Sequence, residues 1–219
     1  MIITIDGIDN TGKTSLIDRV SKKVKCTRLA FPSQSLCSSK AFSDLVTMKG
    51  TPDYETVKKN WLDALINEQK QALAEATHAS QPILIDRFWF SSLIYQGDWS
   101  APSSNKYINE AYEKMLQSIG IKPEHLQHIF LTYPMGVKTE ETNETKKHYD
   151  KQKSQLFLNA EIVTRATNTY LYSDYLKDTF VFREWKLHDL HYNGILVTEK
   201  DLDYIQEHRT GYVLNQLLN

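Results

Sequence analysis

Near its amino end the chain reads Gly7-Ile8-Asp9-Asn10-Thr11-Gly12-Lys13-Thr14-Ser15, which fits the spacing G-x-x-x-x-G-K-[ST]. Residues of these types in this order bind polyphosphate. The two glycines let the backbone turn so that successive N–H groups converge on one anion. A helix beginning at Thr14 adds unpaired N–H groups and the positive end of its dipole. The Lys13 ammonium reaches β- and γ-phosphates, and the Thr14 hydroxyl can ligate Mg2+. Asn10, Thr11, Gly12 and Ser15 complete the candidate nucleoside-triphosphate cradle. Asp9 is the unusual member. A carboxylate inside an anion nest is unfavourable unless an acceptor is needed there, for a sugar hydroxyl or for the metal shell; a solvent-facing turn residue is the other reading.

A second cluster follows an apolar run. Ile83-Leu84-Ile85 leads into Asp86-Arg87-Phe88-Trp89-Phe90-Ser91-Ser92-Leu93-Ile94-Tyr95-Gln96-Gly97. In parallel sheets ligands bind beyond the carboxyl ends of strands, so Asp86 and Arg87 stand where a phosphate-handling carboxylate and cation belong. Asp86 can hold Mg2+ through water, and the Arg87 guanidinium can fork onto a phosphate. Taken alone, the pair also reads as a surface ion pair closing a strand.

The elements that must position these residues alternate. Ile2–Asp6, Thr27–Phe31, Pro82–Asp86, His128–Thr132, 179–185 and 195–198 read as strands. Pro32 stops the second strand, since it cannot donate to a ladder. Helical spacing covers 14–24, 38–47, 53–79, 105–118 and 154–177, and Thr198 with Asp201 signals a last helix over 199–217. Asn193-Gly194 marks a turn. Strands alternating with helices predict an α/β fold, a parallel sheet of about five strands covered on both faces. The stretch from Pro134 to Lys153 is polar and core-poor.

Composition narrows the function. With 26 Lys+Arg against 27 Asp+Glu, the chain lacks the cationic surplus that duplex DNA binding needs, while a few local cations suffice for a phosphorylated small molecule. At 219 residues one domain is expected, too little for a motor, and no Asn-Lys-x-Asp sequence supports a guanine-reading switch. Apolar runs are too short to span a bilayer, and Met1 leads directly into a strand, so neither membrane segment nor leader is expected. Cys26 and Cys37 alone give no disulfide framework or metal spacing, which fits a reduced, intracellular compartment.

Together these segments resemble the thymidylate kinases, P-loop nucleoside monophosphate kinases that convert dTMP to dTDP. That family carries Asp at the position of Asp9 and ends a strand in Phe-Pro, here Phe31-Pro32. A second strand ends in Asp-Arg-aromatic, followed by Ser and Tyr-Gln at the spacing of Ser91, Tyr95 and Gln96. Lys122-Pro123-Glu124 is similar to the family's Lys-Pro-Asp, and His148-Tyr149-Asp150 to its Arg-Tyr-Glu, which places a mobile lid on residues 136–152. The resemblance runs over most of residues 1–160.

It implies a single kinase domain over residues 1–219 that uses ATP and Mg2+ to phosphorylate dTMP or a closely related deoxynucleotide. By the same resemblance, Lys13 and Thr14 take the ATP phosphates and the metal, and Asp86 serves the metal shell. Asp9 accepts the sugar 3′-hydroxyl, Arg87 contacts the acceptor phosphate, and Phe31 with Pro32 positions the substrate. Ser91, Tyr95, Gln96 and Tyr149 fall on the acceptor side, with Tyr95 near the sugar and Gln96 toward the pyrimidine. A homodimer in the cytoplasm, without a stable nucleic-acid partner, is also implied. The chain departs from the pattern where arginines are usual. The long helix reads Trp61-Leu62-Asp63-Ala64-Leu65-Ile66-Asn67-Glu68, and Ser33-Gln34 follows Phe-Pro. Trp61 can stack on the base or pack in the core. Asn10 stands where the loop can hold Arg, so a mobile cation is expected among lid residues Lys138, Lys146, Lys147, Lys151 and Lys153. Another acceptor on the same frame, or a nucleotide-binding module, are the competing readings.

Overall fold

Ile2–Gly7 is buried along all six residues, as a strand must be when helices cover both faces of its sheet. It forms β1 at the centre of a computed structural model that describes residues 1–7, 12–97, 102–131, 180–182 and 199–218. Around it lie β2 (Thr27–Ala30), β3 (Ile83–Asp86), β4 (Leu126–Leu131) and β5 (Phe180–Phe182), in the order β2-β3-β1-β4-β5. Every pairing is parallel, and the register sets Ile5 beside Asp86 and Gly7 beside Leu131. The carboxyl ends of the central strands therefore open on one edge.

The helices among the described residues are α1 (Lys13–Ser21), α2 (Gln34–Cys37), α3 (Lys40–Thr47), α4 (Tyr54–Thr77), α5 (Trp89–Tyr95), α6 (Pro102–Ser118) and α7 (Glu199–Leu218). Strand alternation divides the core into two layers. Ile3, Ile5, Leu84, Ile129 and Leu131 pack against Leu16, Ile17 and Val20 of α1 and Val213 of α7. On the other face Ile2, Ile83, Ile85, Leu126 and Phe130 pack against α4, α5 and α6 through Leu62, Leu65, Trp89, Phe90, Tyr112 and Met115.

The parallel α/β class is as the sequence predicts, with local differences. Helix α1 ends at Ser21 rather than 24, because the chain turns as Lys23 and Val24 both donate to the Val20 carbonyl. Ser39 caps α3 by accepting from the Phe42 N–H, so that helix starts at Lys40, while Ser33 caps a further short helix, α2, through Leu36. Helix α6 begins three residues earlier than its periodicity, at Pro102, and β4 begins at Leu126 instead of His128. Helix α5 had no periodic signal. It is apolar nearly all round, and the residues Trp89–Ile94 are all buried. The expected helix 154–177, strand 195–198, Asn193-Gly194 turn and lid 136–152 lie outside the described residues.

Candidate active site

The phosphate loop is described at its two ends. Gly7 closes β1, and Gly12, at φ 81°, accepts from the Leu16 N–H at 3.0 Å to open α1. A left-handed φ is a conformation glycine adopts freely. Lys13 is buried, at 5 % exposure, on the first turn of α1, and Thr14 and Ser15 are exposed beside it. Ile8, Asp9, Asn10 and Thr11 lie outside the described residues, as do Lys138, Lys146, Lys147 and Tyr149.

Thr14 meets the end of β3. Its Oγ1 donates to Oδ2 of Asp86 at 2.8 Å. The other carboxylate oxygen, Oδ1, is buried and accepts no hydrogen bond among the described residues. A buried carboxylate oxygen without a donor is costly and calls for a cation or an ordered water. The donor set fits Mg2+, which binds one or two carboxylates, a hydroxyl and substrate phosphates while keeping several waters. Among the described residues no group of three or more His, Cys, Asp and Glu could hold a metal ion.

Arg87 follows with φ 66°, the one non-glycine residue at positive φ among the described residues. Such a conformation costs about 1 kcal/mol or more and persists only when neighbours hold it. Here the Arg87 N–H donates to Ile5 O at 3.1 Å, and the next N–H, of Phe88, donates to Asp6 Oδ1 at 2.7 Å. The twist sends the guanidinium to Tyr95: Nη1 donates to the phenol oxygen at 3.2 Å, and Cζ lies 5.6 Å from the ring centroid. Arg87, Asp86 and Thr14 thus stand on one edge of the sheet.

Sequence reasoning took Asp6 for the last residue of a strand; it is the hub beneath this edge. Its Oδ1 accepts from the N–H of Phe88, the N–H of Ser91 at 2.9 Å and the Ser91 hydroxyl at 2.6 Å, and Oδ2 accepts from Thr4 at 3.3 Å. Burial raises its pKa above the usual carboxylate value, and the four hydrogen bonds oppose that rise. Asp6 thereby serves as the N-terminal cap that α5 lacks in its own sequence, from a residue far away in the chain. The Ser91 hydroxyl is bound to this hub. Behind it, Thr4 Oγ1 sits 2.7 Å from Nδ1 of His128, whose pKa burial depresses to about 3.

On the acceptor side the predicted residues divide. Phe31, 5 % exposed, joins the core layer of α4, and Trp61, 3 % exposed, packs on Phe42 with ring centroids 5.3 Å apart. Trp61 takes the core-packing alternative; Pro32 is half-buried. Gln96 lines a cavity of about 200 Å3 with Glu55, Lys58, Lys59, Leu62, Tyr107 and Ile108, and its buried Oε1 has no hydrogen-bond partner among the described residues. Lys58 is ion-paired with Glu55 at 2.9 Å, and Lys59 lies 5.3 Å from the Tyr107 ring centroid. Burial, with the Asp63 carboxylate second, pushes the Tyr107 phenol up to about 12, so it remains a donor to Asp63 at 2.7 Å. The two lysines escaped the sequence reading because nothing in their spacing separates a pocket face from a solvated one.

A loop of this kind facing a strand-end carboxylate in a parallel sheet is the arrangement of P-loop phosphotransferases. The family model described as thymidylate kinase matches residues 5–168, and the chain belongs to that family. It is accordingly a nucleoside monophosphate kinase, a phosphotransferase. In structure it is similar to the thymidylate kinase of Ehrlichia chaffeensis, with TM-score 0.55 and 13% identity over 100% of this chain and 98% of that one. The Candida albicans thymidylate kinase, an enzyme of broad substrate specificity, gives TM-score 0.53 and 15% identity over 90% of this chain and 95% of that one. No sequence among curated proteins matches. Among the described residues no helix is long and apolar enough to cross a membrane.

Proposed function

We propose that the protein transfers the γ-phosphoryl group of MgATP to the phosphate of dTMP, yielding ADP and dTDP. The observation that carries this is the Thr14–Asp86 contact of 2.8 Å, with Asp86 Oδ1 left as a buried acceptor at its side. Thr14 and Asp86 would hold Mg2+, which supplies charge neutralisation between the β- and γ-phosphates. A phosphate oxygen of the acceptor forms the new bond to the γ-phosphorus as the bond to the β–γ bridging oxygen breaks, and ADP leaves with that oxygen. The chain's work in this step is positioning and charge. Lys13 holds the β- and γ-phosphates, Arg87 draws the acceptor phosphate into line, and Asp9 receives the 3′-hydroxyl. Tyr95 keeps the Arg87 guanidinium in place and borders the sugar. Tyr149 binds on the acceptor side, and lid residues Lys138, Lys146 and Lys147 bring cations to the transferring group and exclude water, which otherwise competes as acceptor. The working form is a cytoplasmic homodimer.

The base enters the cavity at Gln96. Its buried Oε1 offers an acceptor for a ring N–H; Lys59 and the Lys58–Glu55 pair line the same cavity, in a chain that lacks the family's arginines. A lysine is a flexible point charge rather than a fixed fork. That one feature favours a second reading, in which the acceptor range extends to other deoxynucleoside monophosphates. The experiment is ADP release from MgATP with dTMP, dUMP, dCMP, dGMP, UMP or thymidine. A clear preference for dTMP supports the first reading, and comparable rates with several deoxynucleotides support the second. ADP release that no acceptor stimulates would contradict both.

A further inference from the structure

Helix α7, from the far end of the chain, reaches the phosphate loop. Gln206 donates through Nε2 to the Gly12 carbonyl at 3.4 Å. A Cβ built on Gly12 would lie 2.2 Å from that nitrogen and 3.5 Å from Nη1 of Arg209. Gln206 and Arg209 are three residues apart, so they share one face of the helix. Arg209 is 4 % exposed. Charged side chains are seldom buried so fully, because taking a guanidinium out of water is costly.

Independent contacts fix the helix in this place. Arg19 of α1 pairs with Asp203, and Val213 is fully buried among Leu16, Ile17 and Val20. From β4, Gln127 donates to the Tyr212 phenol at 3.3 Å. The helix so anchored carries the Arg209 guanidinium beside Gly12, the residue before Lys13.

We propose that Arg209 and Gln206 are positioning residues of the nucleotide site, holding the last turn of the phosphate loop for the polyphosphate of a nucleoside di- or triphosphate. Gln206 is a second donor to the Gly12 carbonyl, which already accepts from the Leu16 N–H, and so braces the loop where α1 begins. Arg209 adds a fixed positive charge behind the loop, in surroundings where water screens it little. The inference rests on reading Gly7–Thr14 as the triphosphate cradle, and the test separates the two.

The test is calorimetric titration of MgADP into the full chain and into the variants Arg209→Gln, Arg209→Lys, Gln206→Ala and Lys13→Ala, with the melting temperature of each. Arg209→Gln is expected to weaken MgADP binding about tenfold, the scale of one partly desolvated charge contact. Arg209→Lys is expected to recover most of that loss, and Gln206→Ala to weaken binding about threefold. In steady state the change falls on the KM for ATP and not on the KM for the acceptor. A lower melting temperature with unchanged MgADP affinity would make both residues merely structural and overturn the proposal. Should Arg209→Gln not fold, unchanged MgADP affinity in Gln206→Ala overturns it equally. Undiminished MgADP binding by Lys13→Ala would instead bring down the phosphate-loop reading itself.

Discussion

Thr14 and Asp86 stand 72 positions apart in the chain and meet at 2.8 Å. Each was legible because its place is set locally, Thr14 by the loop spacing and Asp86 by the end of an apolar strand. Arg87 was legible as a cation, but not its positive φ, which arises from backbone bonds to Ile5 and from Asp6. Removing the carboxylate tests the metal reading. Asp86→Ala should lower turnover by about 100-fold or more and raise the Mg2+ concentration needed for half-maximal rate. Thr14 then loses one hydrogen bond at an exposed site, so the melting temperature should change little. Wild-type Mg2+ dependence in the variant, read from initial rates across a Mg2+ titration, would contradict this role.

At the scale of the element, α5 shows why a helix can be invisible to periodicity. Its residues are buried on nearly every side and mostly apolar, with Ser91 and Ser92 bonded inside, and its capping carboxylate arrives from β1. Strands β1, β3 and β4 and helices α1 and α4 were readable from their patterns, since each buries a face of regular spacing. Asp6 was readable only as a polar residue ending an apolar run; its partners Phe88 and Ser91 are set by tertiary structure. The same holds for Gln206 and Arg209, whose helix was expected but whose packing on α1 was not. Asp6→Ala would strand the Phe88 and Ser91 donors and destabilise the fold by about 3 kcal/mol or more, measured by urea denaturation. Asp6→Asn keeps an acceptor at Oδ1 without a charge to bury, so its loss should be much smaller. Equal losses in the two variants would show that Asp6 does not act as the cap of α5.

For the whole molecule, the sheet carries a buried polar line across β4 and β1, His128 to Thr4 to Asp6. Thr4 has one hydroxyl hydrogen, and giving it to Asp6 assigns the imidazole proton to Nδ1. The neutral ring is what the fold requires. Because burial depresses the His128 pKa to about 3, protons bind the unfolded chain in preference. Stability from this group is complete above its unfolded value near 6.5 and is lost as pH falls from there toward 3. Asp6, with its raised pKa, runs the other way: its contribution is present below 3.8 and lost as pH rises through the folded value. Between about pH 7.5 and about pH 5 the His128 linkage should remove roughly 2 kcal/mol. Comparing wild type with His128→Gln at both pH values isolates it, because the glutamine does not titrate. An identical pH dependence in the two proteins would show that His128 is not buried neutral.

The most direct test of the central claim is to follow the phosphorus. MgATP, dTMP and the protein are mixed and watched by 31P NMR. The account predicts that the γ-phosphate signal of ATP disappears as the two resonances of dTDP rise, with ADP formed in equal amount and inorganic phosphate nearly absent. Growth of inorganic phosphate in place of dTDP, with dTMP unconsumed, would contradict a transfer between nucleotides.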